Sequence, residues 1–319
     1  MTRFLLRRIA SGLLTLFAIS VLMFTLFYVA PNDPARTLAG PQATNAQVDQ
    51  VRERLGLDQP VLERYGQFVE GLLRGDLGYS YYNQEPVLDT IVSRLPVTAS
   101  VAFGAIAVAL VVGVLVGIAA ARRPGSLLDR ASTLFVLSGL SVPTFVLGLV
   151  LLYLLFYQLT TNGLPIFPAA GYVPFTENPA EWARHLVLPW ITVAFVTAAT
   201  YARLTRGQLL GVLEEDYIRT ARSKGLSERR VVYRHGLRSS VTPIFTQFGL
   251  DLGLLMGGLV VTEQIFGLNG IGRVAVDSVT RGDQPVIVGV MLVASFFVVL
   301  ANILVDLGYA LLDSRVRVA

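Results

Sequence analysis

Cysteine is absent from the 319 residues. That excludes disulfide scaffolds, zinc ribbons, thiolate metal centres and cysteine nucleophiles together. Histidine is nearly absent: His185 and His235 are too few and too far apart along the chain for an imidazole-rich metal site. Lysine occurs once, as Lys224 in Ser-Lys-Gly, so there is no G-x-x-x-x-G-K-[ST] loop to cradle the phosphates of ATP. Charge is scarce as a whole, at 15% of residues, where soluble domains carry about 25%. What fills the chain instead is apolar side chain, 53% of the total. The composition is that of an integral membrane protein, with no catalytic, metal-ligating or cofactor-binding constellation.

Six stretches, 9–30, 98–121, 131–157, 186–202, 241–266 and 286–312, are apolar enough to span a bilayer core of ~30 Å as helices of about 20 residues. The first follows Arg3, Arg7 and Arg8 but outlasts a signal-peptide core of about 7–15 residues and precedes no A-x-A site, so it reads as a retained span. Pro189 is expected to bend the outer end of the fourth. Counting arginine and lysine by loop sets the orientation. Seventeen of the 26 basic residues fall at the termini and in the 122–130 and 203–240 loops, which places both termini in the cytoplasm. Thirteen of the 22 acids fall on the other side, six on the cytoplasmic side and three within spans. Tyr153, Tyr157, Trp182 and Trp190 sit near the expected outer interface.

The first outer loop, 31–97, is long. It is expected to hold a helix over 45–55 stopped by Gly56, then a second helix entered through Asp58-Gln59-Pro60 as cap and first position. In the second, Val61, Leu62, Tyr65, Phe68, Val69, Leu72 and Leu73 form one apolar stripe, read as packing over the spans. The polar tip at 79–85, with Tyr79, Tyr81, Tyr82 and Glu85, reads as a docking surface for an extracytoplasmic partner.

The 203–240 loop is the most specific segment. An acidic start, Glu214-Glu215-Asp216, suits a helix N-terminus over 214–224. Gly225 then stops that helix, and Ser227 opens a second short one. The result is an elbow with nine positive charges at the inner membrane face. Attraction to anionic lipid explains the charge but not an ordered elbow with a central glycine. Nucleic-acid binding is excluded because the elbow is held between two spans.

Arg219-Thr220-Ala221, Gly225 and Leu237 resemble the EAA loop of ABC-importer permease subunits. Arg219 stands in place of the motif's glutamate, Thr220 of its first alanine and Arg238 of its proline. Together with Leu55-Gly56-Leu57-Asp58-Gln59-Pro60, Leu72-Leu73-Arg74-Gly75-Asp76-Leu77-Gly78, Gly270-Ile271-Gly272 and Leu312-Asp313-Ser314-Arg315, they look like the first of the two dipeptide/oligopeptide permease subunits. The resemblance covers nearly all of residues 1–319, read as a single permease domain. It implies an all-α, six-span, type I importer architecture in the bacterial inner membrane. It implies as partners a second permease, an extracytoplasmic peptide-binding protein and two ATPase subunits, which bind the ATP and magnesium. Arg219, Ala221, Arg222, Lys224, Gly225 and Leu226 are then the expected coupling residues. Nickel, glutathione and oligosaccharide importers share this permease type, and a stand-alone secondary transporter is the alternative of a different class.

Three acids fall inside spans, where an ionisable group faces a cavity or a partner. Asp251 is the candidate for lining a passage, with a structural pair or a contact with the other permease as the equal alternative. Glu263, near the outer end of its span, reads as a gate or as an interface residue. Asp306 is expected to pair with a cytoplasmic-side arginine. Gly113 and Gly117 have the spacing of close helix packing, and Pro143 that of a kink.

Overall fold

The computed structural model describes residues 2–29, 34–40, 42–54 and 56–312. Among them there is no β-strand, only an isolated antiparallel bridge between Tyr79 and Pro86. The fold is all-helical. α1 (Thr2–Phe24) continues as a π-helical turn, Thr25–Val29, and three short helices follow: α2 (Pro34–Ala39), α3 (Asn45–Arg54) and α4 (Val61–Leu73). α5 (Val87–Arg122) crosses the molecule, α6 (Leu127–Ser141) returns, and α7 (Thr144–Leu151) extends that return through a π segment, Leu152–Gln158, and the single turn α8 (Leu159–Thr161). α9 (Pro179–Leu213), α10 (Asp216–Ser223) and α11 (Glu228–Arg230) lead through a π segment, Val231–Gly236, into α12 (Leu237–Met256). α13 (Val260–Ile265), α14 (Ile271–Arg281) and α15 (Gln284–Leu312) complete the chain.

α5 and α9 form the centre, and small residues explain why they can. A Cβ on Gly113 would lie 2.6 Å from the Ala198 carbonyl oxygen, and one on Gly117 would lie 2.7 Å from that of Ala202. The expected close approach is therefore present, and a larger residue at either position would force the helices apart. Trp190 lies over Gly104 in the same way, its indole N–H donating to the Ser100 carbonyl at 2.9 Å. Large apolar side chains such as Leu13 and Leu14 on α1 point outward, as a lipid-facing surface requires.

Several sequence expectations need correcting. Among the described residues five helical stretches, not six, are long and apolar enough to cross a membrane. The expected span 241–266 is not among them: it divides into α12 and α13 at 257–259, and Thr242, Gln247 and Asp251 dilute its apolar character. The third span is divided too, with Pro143 at the cap of α7 rather than inside one kinked helix. The fourth, expected to be the shortest, belongs to a 35-residue helix that runs through Pro189 without a break and is about 52 Å long at 1.5 Å per residue. Pro60, not Asp58, caps α4, with no side-chain hydrogen bond. No residue of α4 is buried: Tyr65 and Phe68 pack on Phe24 of α1, while Leu62 and Leu73 are more than 80% exposed.

Candidate functional site

At one end of the bundle α9 turns through α10 and α11 into α12. α10 has a polar outer face and a small apolar nucleus. Ile218, Ala221 and Val231 are buried against Val212, Leu213 and Leu226. Gly225 closes the helix at φ +75°, where its N–H reaches the Arg222 carbonyl at 2.9 Å and the Leu226 N–H reaches that of Ala221 at 3.3 Å. A β-branched residue is strained at that backbone angle. Arg222 spans the turn, donating to both Glu228 carboxylate oxygens at 2.8 and 3.1 Å. Those bonds hold the Glu228 carboxyl below its usual range, and Arg122 at the end of α5 adds to the effect. Ser227 occupies the cap position of α11, but its hydroxyl accepts no capping bond.

The six expected coupling residues thus divide. Ala221, Arg222 and Leu226 hold the elbow together: Ala221 is packed within its own chain, so its small size serves the elbow's interior. Arg219, Lys224 and Gly225 are exposed, together with Asp216, Tyr217, Thr220 and Ser223. α9, which leads into the elbow, is braced from a direction that its own sequence does not mark. Asp129, in the first turn of α6, receives the Arg206 guanidinium at 2.6 and 3.1 Å and the Gly125 N–H at 2.9 Å. Its signal was that of a lone acid among Arg122, Arg123 and Arg130. Arg8 pairs with Asp306 at 3.0 Å at the same end, as expected of Asp306.

The opposite end is organised by buried carboxylates. Glu263 is fully buried, accepting from the Thr98 hydroxyl at 2.7 Å and from the Arg273 N–H at 2.8 Å. The Thr98 hydroxyl in turn accepts from the Ile271 N–H at 2.9 Å. Gly270 lets this clasp close, since a Cβ there would lie 2.3 Å from Glu263 Oε1. Glu263 is therefore not an exposed interface residue. It joins α5, α13 and the start of α14.

Asp283, a second acid without a sequence signal of its own, fastens the 79–85 segment. It accepts from the Ser80 hydroxyl at 2.6 Å and from the Tyr81 and Tyr82 N–H groups at 3.1 and 3.4 Å. Ser80 is fully buried. Tyr81 is partly buried, and burial followed by the Asp283 charge pushes its hydroxyl above its ordinary value. Tyr79 and Tyr82 stand out at the surface, Tyr79 donating to the Gln84 carbonyl and Tyr82 lying under Arg281 at 4.2 Å. Glu85 accepts from Thr90 at 2.7 Å. The expected docking tip is thus half anchor and half exposed surface.

Asp251 lies on α12. Gln247 donates to one of its carboxylate oxygens at 2.8 Å, while the other oxygen is buried without a hydrogen bond. It interacts electrostatically with Tyr201, a fully buried residue of α9. No cluster of three or more histidine, aspartate or glutamate side chains capable of holding a metal occurs among the described residues.

Residues 113–318 match the family model described as binding-protein-dependent transport system inner membrane component, and residues 1–102 match the model of its N-terminal part. A probable peptide ABC transporter permease protein of Sinorhizobium fredii is 39% identical over 314 residues, 98% of this chain and 99% of the relative. A putative peptide transport system permease protein of Brucella abortus is 41% identical over 317 residues, 99% of each chain. A glutathione transport system permease protein of Escherichia coli is 38% identical over the same length, again 99% of each.

Proposed function

This chain belongs to the binding-protein-dependent transport system inner membrane component family, and from that premise we propose that it passes peptides inward together with a second permease subunit. It is an inner-membrane permease subunit of an ABC importer with type I architecture, not an enzyme, and family membership sets aside a stand-alone secondary transporter. In our reading two ATPase subunits bind the ATP and magnesium, and an extracytoplasmic binding protein delivers the peptide. The single domain of residues 1–319 has its termini and elbow in the cytoplasm, the side to which the arginines are biased. Membrane lipid covers the outward apolar faces of α1 and α7.

The observation that carries the mechanism is the division of the elbow into a bonded interior and a charged exterior. Arg219, Lys224 and Gly225 present the contact to the ATPase, while Ala221, Arg222 and Leu226 make the elbow rigid enough to act as a lever. Because the elbow is continuous with α9 and α12, a displacement by the ATPases reaches the α9–α12 seam, where Asp251 borders the passage. Tyr79, Tyr82 and Glu85 receive the binding protein, with Tyr81 turned towards Asp283. The names of the relatives favour peptides, and that of the Escherichia coli relative favours a glutathione-like tripeptide as a second reading. Mass spectrometry of the ligand released from the co-purified binding protein separates the two. Vanadate-sensitive peptide uptake by the reconstituted complex is the expected result, and uptake without ATPase chains would contradict it.

A further inference from the structure

Two helices of the bundle are interrupted, and both interruptions open on one cleft. α6 gives way to α7 at Val142-Pro143, and α12 gives way to α13 at 257–259. Between them lies a cavity of about 490 Å³, walled by Thr144 and Phe145, by Val196 and Thr197 of α9, and by 258–262. Its volume is that of small-molecule sites. The second break is locked by backbone contact: a Cβ on Gly258 would lie 3.0 Å from Gly272 Cα, and one on Gly272 would lie 2.7 Å from the Val260 nitrogen. Non-helical backbone at membrane depth persists only where protein buries it or where it borders a hydrated cavity.

The breaks deprive two threonines of their usual partner. A threonine within a helix can donate to the carbonyl four residues back, as Thr192 does to Leu188 at 2.8 Å and Thr197 to Val193 at 3.0 Å. For Thr262 that carbonyl belongs to Gly258, within the second break, and for Thr144 to Leu140, on the far side of the first. Thr262 is only 3% exposed, yet among the described residues neither its hydroxyl nor that of Thr144 has a hydrogen-bond partner. Both line the cleft, and no ionisable side chain does.

We propose that this cleft binds the main chain of the transported peptide, its amides and carbonyls meeting the hydroxyls of Thr144 and Thr262. The proposal rests on the peptide-permease reading above. A lipid chain would leave both hydroxyls without a partner, an unfavourable state in an apolar setting. An extended peptide offers a donor and an acceptor at nearly every residue, and the apolar walls accept its side chains without selecting by charge. Such a subsite would serve a permease whose selectivity is set by its binding protein.

The test uses the complete importer in vesicles with its binding protein, a panel of di- and tripeptides, and the Thr144→Val/Thr262→Val double variant. Loss of two hydroxyl contacts should slow uptake about tenfold, with unchanged subunit stoichiometry and unchanged ATPase stimulation by the binding protein. Thr144→Ser/Thr262→Ser should restore the rate. Thr280→Val, whose wild-type hydroxyl bonds its own helix at Val276, should leave it unchanged. As a second measurement, Val261→Cys places one thiol in a chain that has none, and transported peptide should slow its labelling by a methanethiosulfonate reagent several-fold. Wild-type uptake by the double variant, or labelling indifferent to peptide, would overturn this subsite while leaving the importer reading intact. Failure of the wild-type complex to take up any peptide would overturn both.

Discussion

The two ends of the molecule solve the same problem, holding an irregular segment against the bundle, by different means. The elbow is held by residues close in sequence: Arg222 reaches Glu228 six positions away, and Ile218 packs on Val231. Its bonded charges are half exposed, and the remainder of its surface is free to meet another chain. The opposite end is held by carboxylates far from their partners in sequence, Glu263 with Thr98 and Asp283 with Ser80, separated by 165 and 203 residues. These acids are buried and receive hydroxyl and backbone N–H groups, with no ion pair to Glu263 or Asp283 among the described residues. A locally built element can move as a unit, whereas a clasp across the whole chain fixes the distance between helices. The molecule therefore has a self-contained element at one end and a frame tied across the chain at the other.

The strongest challenge to this contrast is Glu263→Ala. Removing a buried acceptor of two hydrogen bonds should cost roughly 3 kcal/mol, read as a large loss of assembled complex and a lower midpoint in thermal unfolding. Glu263→Gln, which keeps the shape, should lose less. An undiminished yield for Glu263→Ala would mean that the frame is elsewhere. Asp283→Ala should have a smaller global effect, about 1–2 kcal/mol, but a specific local one. With the 79–85 segment released, the binding protein should stimulate ATP hydrolysis less, while basal hydrolysis persists. Because Ser80 is buried, deleting 79–85 would damage the frame itself, so Tyr79→Ala and Tyr82→Ala are the cleaner probes of docking.

The smallest effect is expected at the exposed Arg222–Glu228 pair, worth about 0.5 kcal/mol. The folded carboxyl lies below the ordinary glutamate value of 4.5. Its contribution is therefore fully present above that value and lost as pH falls through the lowered one. NMR titration of the Glu228 carboxyl in the solubilised complex should show the depression, and Arg222→Gln should abolish it. An unshifted carboxyl in the wild-type protein would remove this brace from the account.

How much of this was legible in the sequence follows from the same contrast. Elbow features are local, so the acidic start at Asp216, the stop at Gly225 and the turn towards Val231 could be read directly from neighbouring residues. The pairing of Asp306 with an arginine followed from charge and membrane side. Asp283 and Thr98 carried no such mark, because an acid in a loop and a threonine in an apolar helix are ordinary until the fold brings their partners to them. Leu226 and Ala221 are expected at the coupling contact from the resemblance, yet the side to which each faces is decided by packing, which the motif does not encode. The breaks at Pro143 and at 257–259 had proline and glycine as signals, but the apolar runs on either side concealed their effect on the span count.

The central claim is that the elbow transmits work between ATPase and passage. Gly225→Val tests it most directly, since φ +75° in a β-branched residue costs about 1–2 kcal/mol and the position is exposed, away from the frame. Peptide imported per ATP hydrolysed should be measured in vesicles for wild type and variant, with the ATPase chains quantified in each. The account predicts a fall of several-fold in that ratio, with the spans inserted and Glu263 still buried. An unchanged ratio at unchanged stoichiometry would contradict it and leave the elbow as a basic loop at the membrane surface.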